Sequence, residues 1–150
     1  MSLPFEALAT GMTLRTATRT ITAEDLLAFA KLTGDSNPAH TSPSAARNGP
    51  FGEQIAHGML VLSYAVGLLP LDPALAVALR DVHDVTFKRP ATIGTTISVD
   101  ATTEDVRPLT HDLGLVHTGL AVRDAGERLL VRGRLGLLWR RAPAQDACVP

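Results

Sequence analysis

The segment formed by residues 57–69 constrains the fold most strongly, because it is apolar on every side of any helix that it could form. Nine of its thirteen residues are apolar, and they leave no polar face. A helix of this kind is stable only when other elements surround it. It is also far too short to span a bilayer, which requires about 20 apolar residues. The segment therefore predicts a central helix, buried almost completely in a water-soluble domain.

The second half of the chain supplies the elements that surround this helix. Between residues 93 and 101, every second residue is apolar or Thr, and a similar alternation runs from 129 to 139. Such alternation is typical of half-buried strands, which we place at about 78–89, 93–106, 113–123 and 128–140. Short connections such as residues 124–127 favour antiparallel pairing. The sequence therefore predicts the α+β class, with an antiparallel sheet curled around one central apolar helix.

The first half of the chain is predicted to contain a strand, a helix and a loop. A first strand covers residues 12–21, and residues 22–25 then resemble a capping box. An amphipathic helix follows and ends near Gly34. One face of it is formed by residues spaced at i, i+3, i+4 and i+7, namely Leu26, Phe29, Ala30 and Thr33. A further helical turn is predicted at Pro43–Arg47, inside a loop rich in Asn, Pro, Ser and Gly.

Composition limits the classes of partner. The 150 residues fit one domain, which we place at residues 1–141, and residues 142–150 are expected to be a disordered tail. Fourteen basic and fifteen acidic residues give a net charge of -1 without blocks of like charge, which indicates neither a nucleic-acid nor a membrane partner. The single cysteine, Cys148, cannot form an intrachain disulfide. We expect a cytoplasmic protein.

The motif TGDSNPAH, at residues 33–40, places an acid and an imidazole five residues apart. On a helix, Asp35 and His40 would lie about 140° apart, and on a strand they would point to opposite faces. Pro38 has no N–H and biases Asn37 toward extended geometry, so the segment should turn and can aim both side chains at one point. Such a pair can position a water molecule and move protons near neutral pH. The alternative is that Asp35 caps a turn and His40 is an ordinary loop histidine.

The sequence FAKLTGDSNPAHTSPSAA, at residues 29–46, closely resembles the signature of the MaoC-like family of (R)-specific enoyl-CoA hydratases. The resemblance continues through PFG at residues 50–52 and IAHGML at residues 55–60. It implies a hot-dog fold, a homodimer, and syn addition of water to a trans-2-enoyl thioester, or the reverse dehydration. The substrate would be carried on coenzyme A or on a phosphopantetheine carrier protein, which would then be a partner. No further cofactor is expected.

The resemblance also assigns roles to individual residues. Asp35 and His40 match the catalytic pair, and Gly58 matches the residue whose backbone N–H stabilises charge on the thioester carbonyl. A free N–H at a helix start suits that role, although Gly58 could instead permit close packing. His57 would orient the loop or bind a carbonyl, and Asn37 would pin the turn.

Val66 departs from the family pattern. It lies eight residues after Gly58, where some members of the family carry a serine that faces the pocket. A valine there makes either a more apolar substrate pocket or ordinary core packing.

Two further expectations concern metals and competing functions. His83, His111 and His117 lie on predicted strands or turns without the ligand spacing of a metal site, so no metal is expected. Hot-dog folds also host thioesterases, so thioester hydrolysis is the first alternative function. A non-catalytic subunit that binds acyl thioesters is the second.

Overall fold

The computed structural model describes residues 3–142 of the chain, which form four α-helices, one 3₁₀ turn and six strands. The predicted tail falls almost wholly on residues 143–150, and these lie outside the described residues together with Cys148. The 3₁₀ turn covers Phe5–Ala7, and the helices are α1 (Ala23–Thr33), α2 (Pro38–Thr41), α3 (Pro43–Arg47) and α4 (Gly58–Leu68). The strands are β1 (Thr13–Arg15), β2 (Arg19–Thr20), β3 (Ala76–Phe87), β4 (Thr96–Pro108), β5 (Leu113–Asp124) and β6 (Leu129–Arg140).

One antiparallel sheet contains all six strands. Its order is β1-β4-β5-β6-β3, and β2 also pairs with β4. The prediction of an α+β domain with an antiparallel sheet is confirmed. None of the helices in the described part of the chain is long and apolar enough to cross a membrane.

The predicted first strand is interrupted in the structure. It splits into β1 and β2, because the side chain of Thr16 replaces its backbone in the pairing with β4. The Thr16 N–H donates to the Val99 carbonyl at 3.0 Å, but the Val99 N–H donates to Thr16 Oγ1 at 3.0 Å. This side-chain acceptor ends the regular ladder.

The central helix α4 is less enclosed than its sequence predicts. One side packs into the core through Leu60, Val61, Leu62 and Ala65. The other side is open, since Met59 is 56% exposed and Ser63, one turn later, is exposed as well. The expectation of almost complete burial is therefore wrong for the single chain, because its open sheet curves around the helix without closing over it.

Candidate active site

The loop after α1 begins at a helix end that the sequence specifies closely. Thr22 caps the start of α1 and forms the predicted capping box with Asp25. At the other end, Gly34 adopts a left-handed conformation with φ of 80° and donates its N–H to the Ala30 carbonyl at 2.8 Å. Glycine adopts this conformation without steric cost. The chain therefore leaves α1 abruptly, and Asp35 is the next residue.

Asn37 and Pro38 then redirect the chain into the short helix α2. The Asn37 side chain accepts a hydrogen bond from the Ala39 N–H at 2.9 Å and caps this helix. The backbone N–H of Asn37 donates to Asp35 Oδ1 at 3.3 Å. Pro38 occupies the first helical position, where a missing N–H costs nothing. His40 is therefore carried on one helical turn that faces back toward Asp35.

Backbone carbonyls fix the protonated nitrogen of both histidines at the site. His40 Nδ1 lies 2.8 Å from the Ile55 carbonyl, and His57 Nε2 lies 3.0 Å from the Asp35 carbonyl. Because a carbonyl only accepts, each of these nitrogens must be the donor. His40 Nε2 is therefore the free, basic nitrogen of its ring in the neutral form.

The two imidazoles and the carboxylate form one compact group. The rings of His40 and His57 stack with their centroids 3.9 Å apart. One carboxylate oxygen of Asp35 and one ring nitrogen of each histidine lie within 4.8 Å of one another, a spacing that could also hold a metal ion. His57 is 2% exposed, and among the described residues its Nδ1 has no hydrogen-bond partner. Because its Nε2 bonds to the Asp35 carbonyl and it directly precedes α4, His57 ties the loop of Asp35 to the start of that helix.

This group opens into a cavity of about 560 Å³. A cavity of that size accepts a small-molecule ligand. Its walls are mainly apolar, and Asp35, His40 and His57 are among its polar lining residues. The apolar lining includes Phe29, Phe51, Ile55, Met59, Val61, Phe87, Leu130 and Val131. Lys88 and Arg89 add positive charge to the lining.

Gly58 meets this cavity at the first residue of α4. His57 precedes it without forming a side-chain cap within the described structure, so the amides of this helix start are not capped by that side chain. A Cβ on Gly58 would lie 2.8 Å from Cε1 of Phe87, which is too close. The glycine therefore places the start of α4 at the cavity wall and admits the ring of Phe87.

Two of the candidate residues, Asn37 and Val66, lie outside the lining of the cavity, and Asn37 lies in the turn that it was expected to pin. Asn37 caps α2 and Val66 packs half-buried against the core, and neither is among the described residues that line the cavity. Sequence reasoning missed lining residues such as Leu130 and Val131, because they have the pattern of ordinary strand core. Phe87 to Pro90 carried a weak signal, since FKRP stands where a strand ends.

The curved antiparallel sheet, the central helix and the acid–imidazole pair define a hot-dog domain with a candidate acid–base site. A solved structure described as a monoamine oxidase regulatory protein from Archaeoglobus matches it with a TM-score of 0.88 and 33% identity, over 94% of this chain and 96% of that chain. A Mycobacterium tuberculosis protein described as a double hot-dog fold matches with a TM-score of 0.82 at 17% identity, over 99% of this chain and 52% of that chain. The chain thus corresponds to one hot-dog unit.

The sequence profile of the MaoC like domain matches residues 5–124. This chain belongs to the MaoC-like dehydratase family, which confirms the resemblance of residues 29–46 and the hot-dog fold.

Three relatives show how far the likeness extends. Protein MaoC from Klebsiella aerogenes is 36% identical over 100 residues, which cover 65% of this chain but 30% of that protein. The 3-hydroxybutyryl-CoA dehydratase of Methylorubrum extorquens is 33% identical over 110 residues, covering 71% of this chain and 67% of that protein. The (R)-specific enoyl-CoA hydratase of Rhodospirillum rubrum is 32% identical over 104 residues, covering 69% of this chain and 72% of that protein.

Proposed function

We propose that this protein is a hydro-lyase that adds water to, or removes it from, the 2,3 position of an acyl thioester. The observation that carries the proposal is the meeting of the Asp35 carboxylate and the His40 imidazole at one apolar cavity, beside the first residue of the central helix. Relatives named as a 3-hydroxybutyryl-CoA dehydratase and as an (R)-specific enoyl-CoA hydratase support the same chemistry.

The hydrogen bonds suggest a role for each member of the pair. In hydration, the free Nε2 of His40 takes a proton from a water molecule that also donates a hydrogen bond to the Asp35 carboxylate. The water oxygen then adds to C3 of the enoyl group. The same imidazolium returns the proton to C2, so both atoms arrive on one face and the addition is syn. Dehydration is the reverse.

Gly58 has the second role in this proposal. The backbone N–H of Gly58 belongs to the start of α4, which borders the cavity, and the positive end of the helix dipole favours negative charge there. It would bind the thioester oxygen as that oxygen becomes enolate-like. His57 would act through position only, by holding the Asp35 loop against the helix start.

The cavity suits an acyl chain joined to a phosphorylated carrier. Its apolar walls would hold the acyl group, while Lys88 and Arg89 would meet the phosphates of coenzyme A or of a phosphopantetheine carrier protein. The cytoplasmic location and the lack of a catalytic cofactor stay predictions from the sequence.

We also propose a homodimer formed through β3. Among the described strands, β3 pairs only with β6, so its second edge is open. The strand β3 also exposes four large apolar side chains, each more than 40% accessible: Val77, Leu79, Val82 and Phe87. An exposed apolar edge is a liability that a second copy would cover. Sedimentation at micromolar concentration should give the mass of two chains, and the mass of one chain would contradict the dimer.

Incubation of the purified protein with crotonyl-CoA tests the activity. Loss of the enoyl absorbance without release of free thiol is the expected result. Release of thiol would instead make the protein a thioesterase. If neither signal appeared with crotonyl-CoA or with longer enoyl thioesters on either carrier, a binding role would replace the enzymatic one.

A further inference from the structure

A second group of acidic and imidazole side chains lies on the face of the sheet opposite α4. Strand register brings it together: Asp105 of β4 pairs with His117 of β5, His117 pairs with Gly136 of β6, and Gly136 pairs with Asp81 of β3. His83 follows Asp81 by two residues and therefore shares its face. The row crosses four strands and joins the edge strand to the sheet interior.

Gly136 allows the two ends of this row to meet. Asp81 and His117 are separated by one intervening strand, so their backbones lie about 9–10 Å apart. A Cβ on Gly136 would stand 2.1 Å from Asp81 Oδ1. The carboxylate therefore occupies the space that any other residue's side chain would fill, and it reaches toward His117 across the glycine.

Three ligand atoms converge at this point. Asp81 Oδ1 lies 3.0 Å from His83 Nε2 and 3.9 Å from His117 Nε2. One atom from each of the three side chains lies within 4.8 Å of the others. Asp81 Oδ1 is nevertheless buried without a hydrogen-bond donor among the described residues. The oxygen thus faces two ring nitrogens, and neither satisfies it.

His117 is held in the orientation of a metal ligand. It is 9% exposed, and its Nδ1 lies 3.4 Å from Asp105 Oδ2. With the carboxylate as acceptor, Nδ1 carries the proton and the lone pair of Nε2 points toward Asp81. A proton on a ring nitrogen or a bound metal ion would relieve the approach of these electron-rich atoms. A histidine that donates its second N–H to a carboxylate is the usual partner of a bound metal.

We propose that Asp81, His83 and His117 bind one divalent transition-metal ion of the zinc class. Ligands around tetrahedral zinc lie about 3.4 Å apart, as follows from metal–ligand distances of about 2.0–2.2 Å. The two observed separations, 3.0 and 3.9 Å, bracket this value. Two imidazoles and one carboxylate match the preference of zinc, with a fourth position for water.

The ion would cross-link two strands of the sheet. It ties the edge strand β3, through Asp81 and His83, to the interior strand β5, through His117. This proposal departs from the sequence-based expectation that no metal binds. It is independent of the proposed activity, since the cluster lies on the opposite face of the sheet from the cavity.

Calorimetric titration of the chelator-treated full chain with Zn²⁺ tests the proposal. We expect one ion per chain and a Tm that rises with zinc concentration, because only the folded state brings the three ligands together. Asp81→Asn and His83→Gln remove a ligand at positions that are not deeply buried, and each should weaken binding more than about 100-fold. Asp105→Asn should weaken it about 10–100-fold, the usual effect of a supporting carboxylate.

Two variants serve as controls. His111→Gln removes an exposed histidine outside the cluster and should leave zinc affinity unchanged. His40→Gln alters the other group whose spacing could hold a metal, and it should leave the affinity unchanged as well. With Co²⁺ as a probe, the wild type should show the strong visible bands of tetrahedral coordination.

Three results would overturn the proposal. The first is the absence of saturable binding by the wild type at micromolar zinc. The second is unchanged binding by Asp81→Asn and His83→Gln. The third is loss of binding in His40→Gln alone, which would move the ion to the cavity.

Discussion

Two clusters in this protein each combine one aspartate with two histidines, and they are built in opposite ways. The cavity cluster is assembled by a loop and two helix ends, within 23 residues from Asp35 to His57. The sheet cluster joins Asp81, His83 and His117 through strand register alone. The first leaves His40 Nε2 free at a cavity, whereas in the second the three possible metal-ligand atoms face one another. Under the two proposals, similar residues would serve proton transfer in one place and metal ligation in the other.

The largest effect on turnover is expected from substitutions that disrupt the cavity cluster. Asp35→Asn and His40→Ala should each lower turnover by about 10²–10⁴-fold, the usual range for a positioned acid–base group. Neither Asp35 nor His40 belongs to the buried hydrophobic core, so folded protein should be retained in each variant. Steady-state rates on a confirmed enoyl thioester measure the loss, and circular dichroism checks the fold.

The double variant is part of the same test. Because both residues act on one water, it should lose far less than the product of the single losses. Near-normal rates in both single variants would show that the pair has no catalytic role.

The cavity cluster was predictable because its signals are local. The capping box at Thr22, the helix end near Gly34 and the proline at 38 are all visible in the sequence, and they define the turn that carries Asp35 and His40. The sheet cluster was not predictable in this way. No sequence spacing reveals that Gly136 separates Asp81 from His117, because the register of three strands and a glycine gap decide it.

The same distinction explains the errors in the fold. The apolar character of residues 57–69 specified a core helix, but it did not reveal which side the sheet leaves open. Met59 is apolar and 56% exposed, and only the tertiary arrangement places it at the cavity. Val66 was equally ambiguous, since a half-buried valine on such a helix can face either a pocket or the core.

Gly58 gives the second largest expected effect. Gly58→Ala keeps the backbone N–H but forces Cβ against the ring of Phe87, which must move. Displacement of the helix start should lower kcat/KM by up to about 10²-fold. In a Phe87→Ala background the clash is absent, so Gly58→Ala should then cost much less. An equal loss in both backgrounds would mean that the ring contact is not the reason for the glycine.

Met59 and Val66 form a matched pair on the same helix. Met59→Ala changes a lining residue, so it should shift the ratio of kcat/KM between short and long acyl chains, since a methylene-sized change in a pocket is worth about 1–3 kcal/mol. Val66→Ser changes a residue packed against the core and should cost about 1 kcal/mol of stability with a uniform effect across the substrates. A change in chain-length preference with Val66→Ser would place this residue at the pocket after all.

The smallest expected effect concerns the hairpin that aligns β5 with β6 and so sets the sheet cluster. Asp124 is 5% exposed, its Oδ1 accepts the N–H groups of Gly126 and Arg128 at 2.9 Å, and its Oδ2 accepts Arg128 Nε at 2.7 Å. The backbone hydrogen bond from Arg128, helped by that residue's charge, holds the pKa of Asp124 below its usual value. The folded state therefore favours the ionised carboxylate.

Asp124→Asn should lower Tm by a few degrees at neutral pH, without changing the cavity cluster or its turnover. A lowered folded pKa contributes stability that is fully present above the unfolded value, about 3.9, and is lost as the pH falls through the folded pKa. The Tm difference between wild type and variant should therefore be constant from neutral pH to about pH 5 and shrink below about pH 4.

Glu53→Gln, at an exposed loop position, is the control and should show a smaller difference at neutral pH. If the Asp124→Asn difference persisted unchanged in acid, the charge of Asp124 would not be what stabilises the hairpin. If turnover fell together with Tm, the two clusters would depend on a common element, and the contrast between a local and a register-built site would fail.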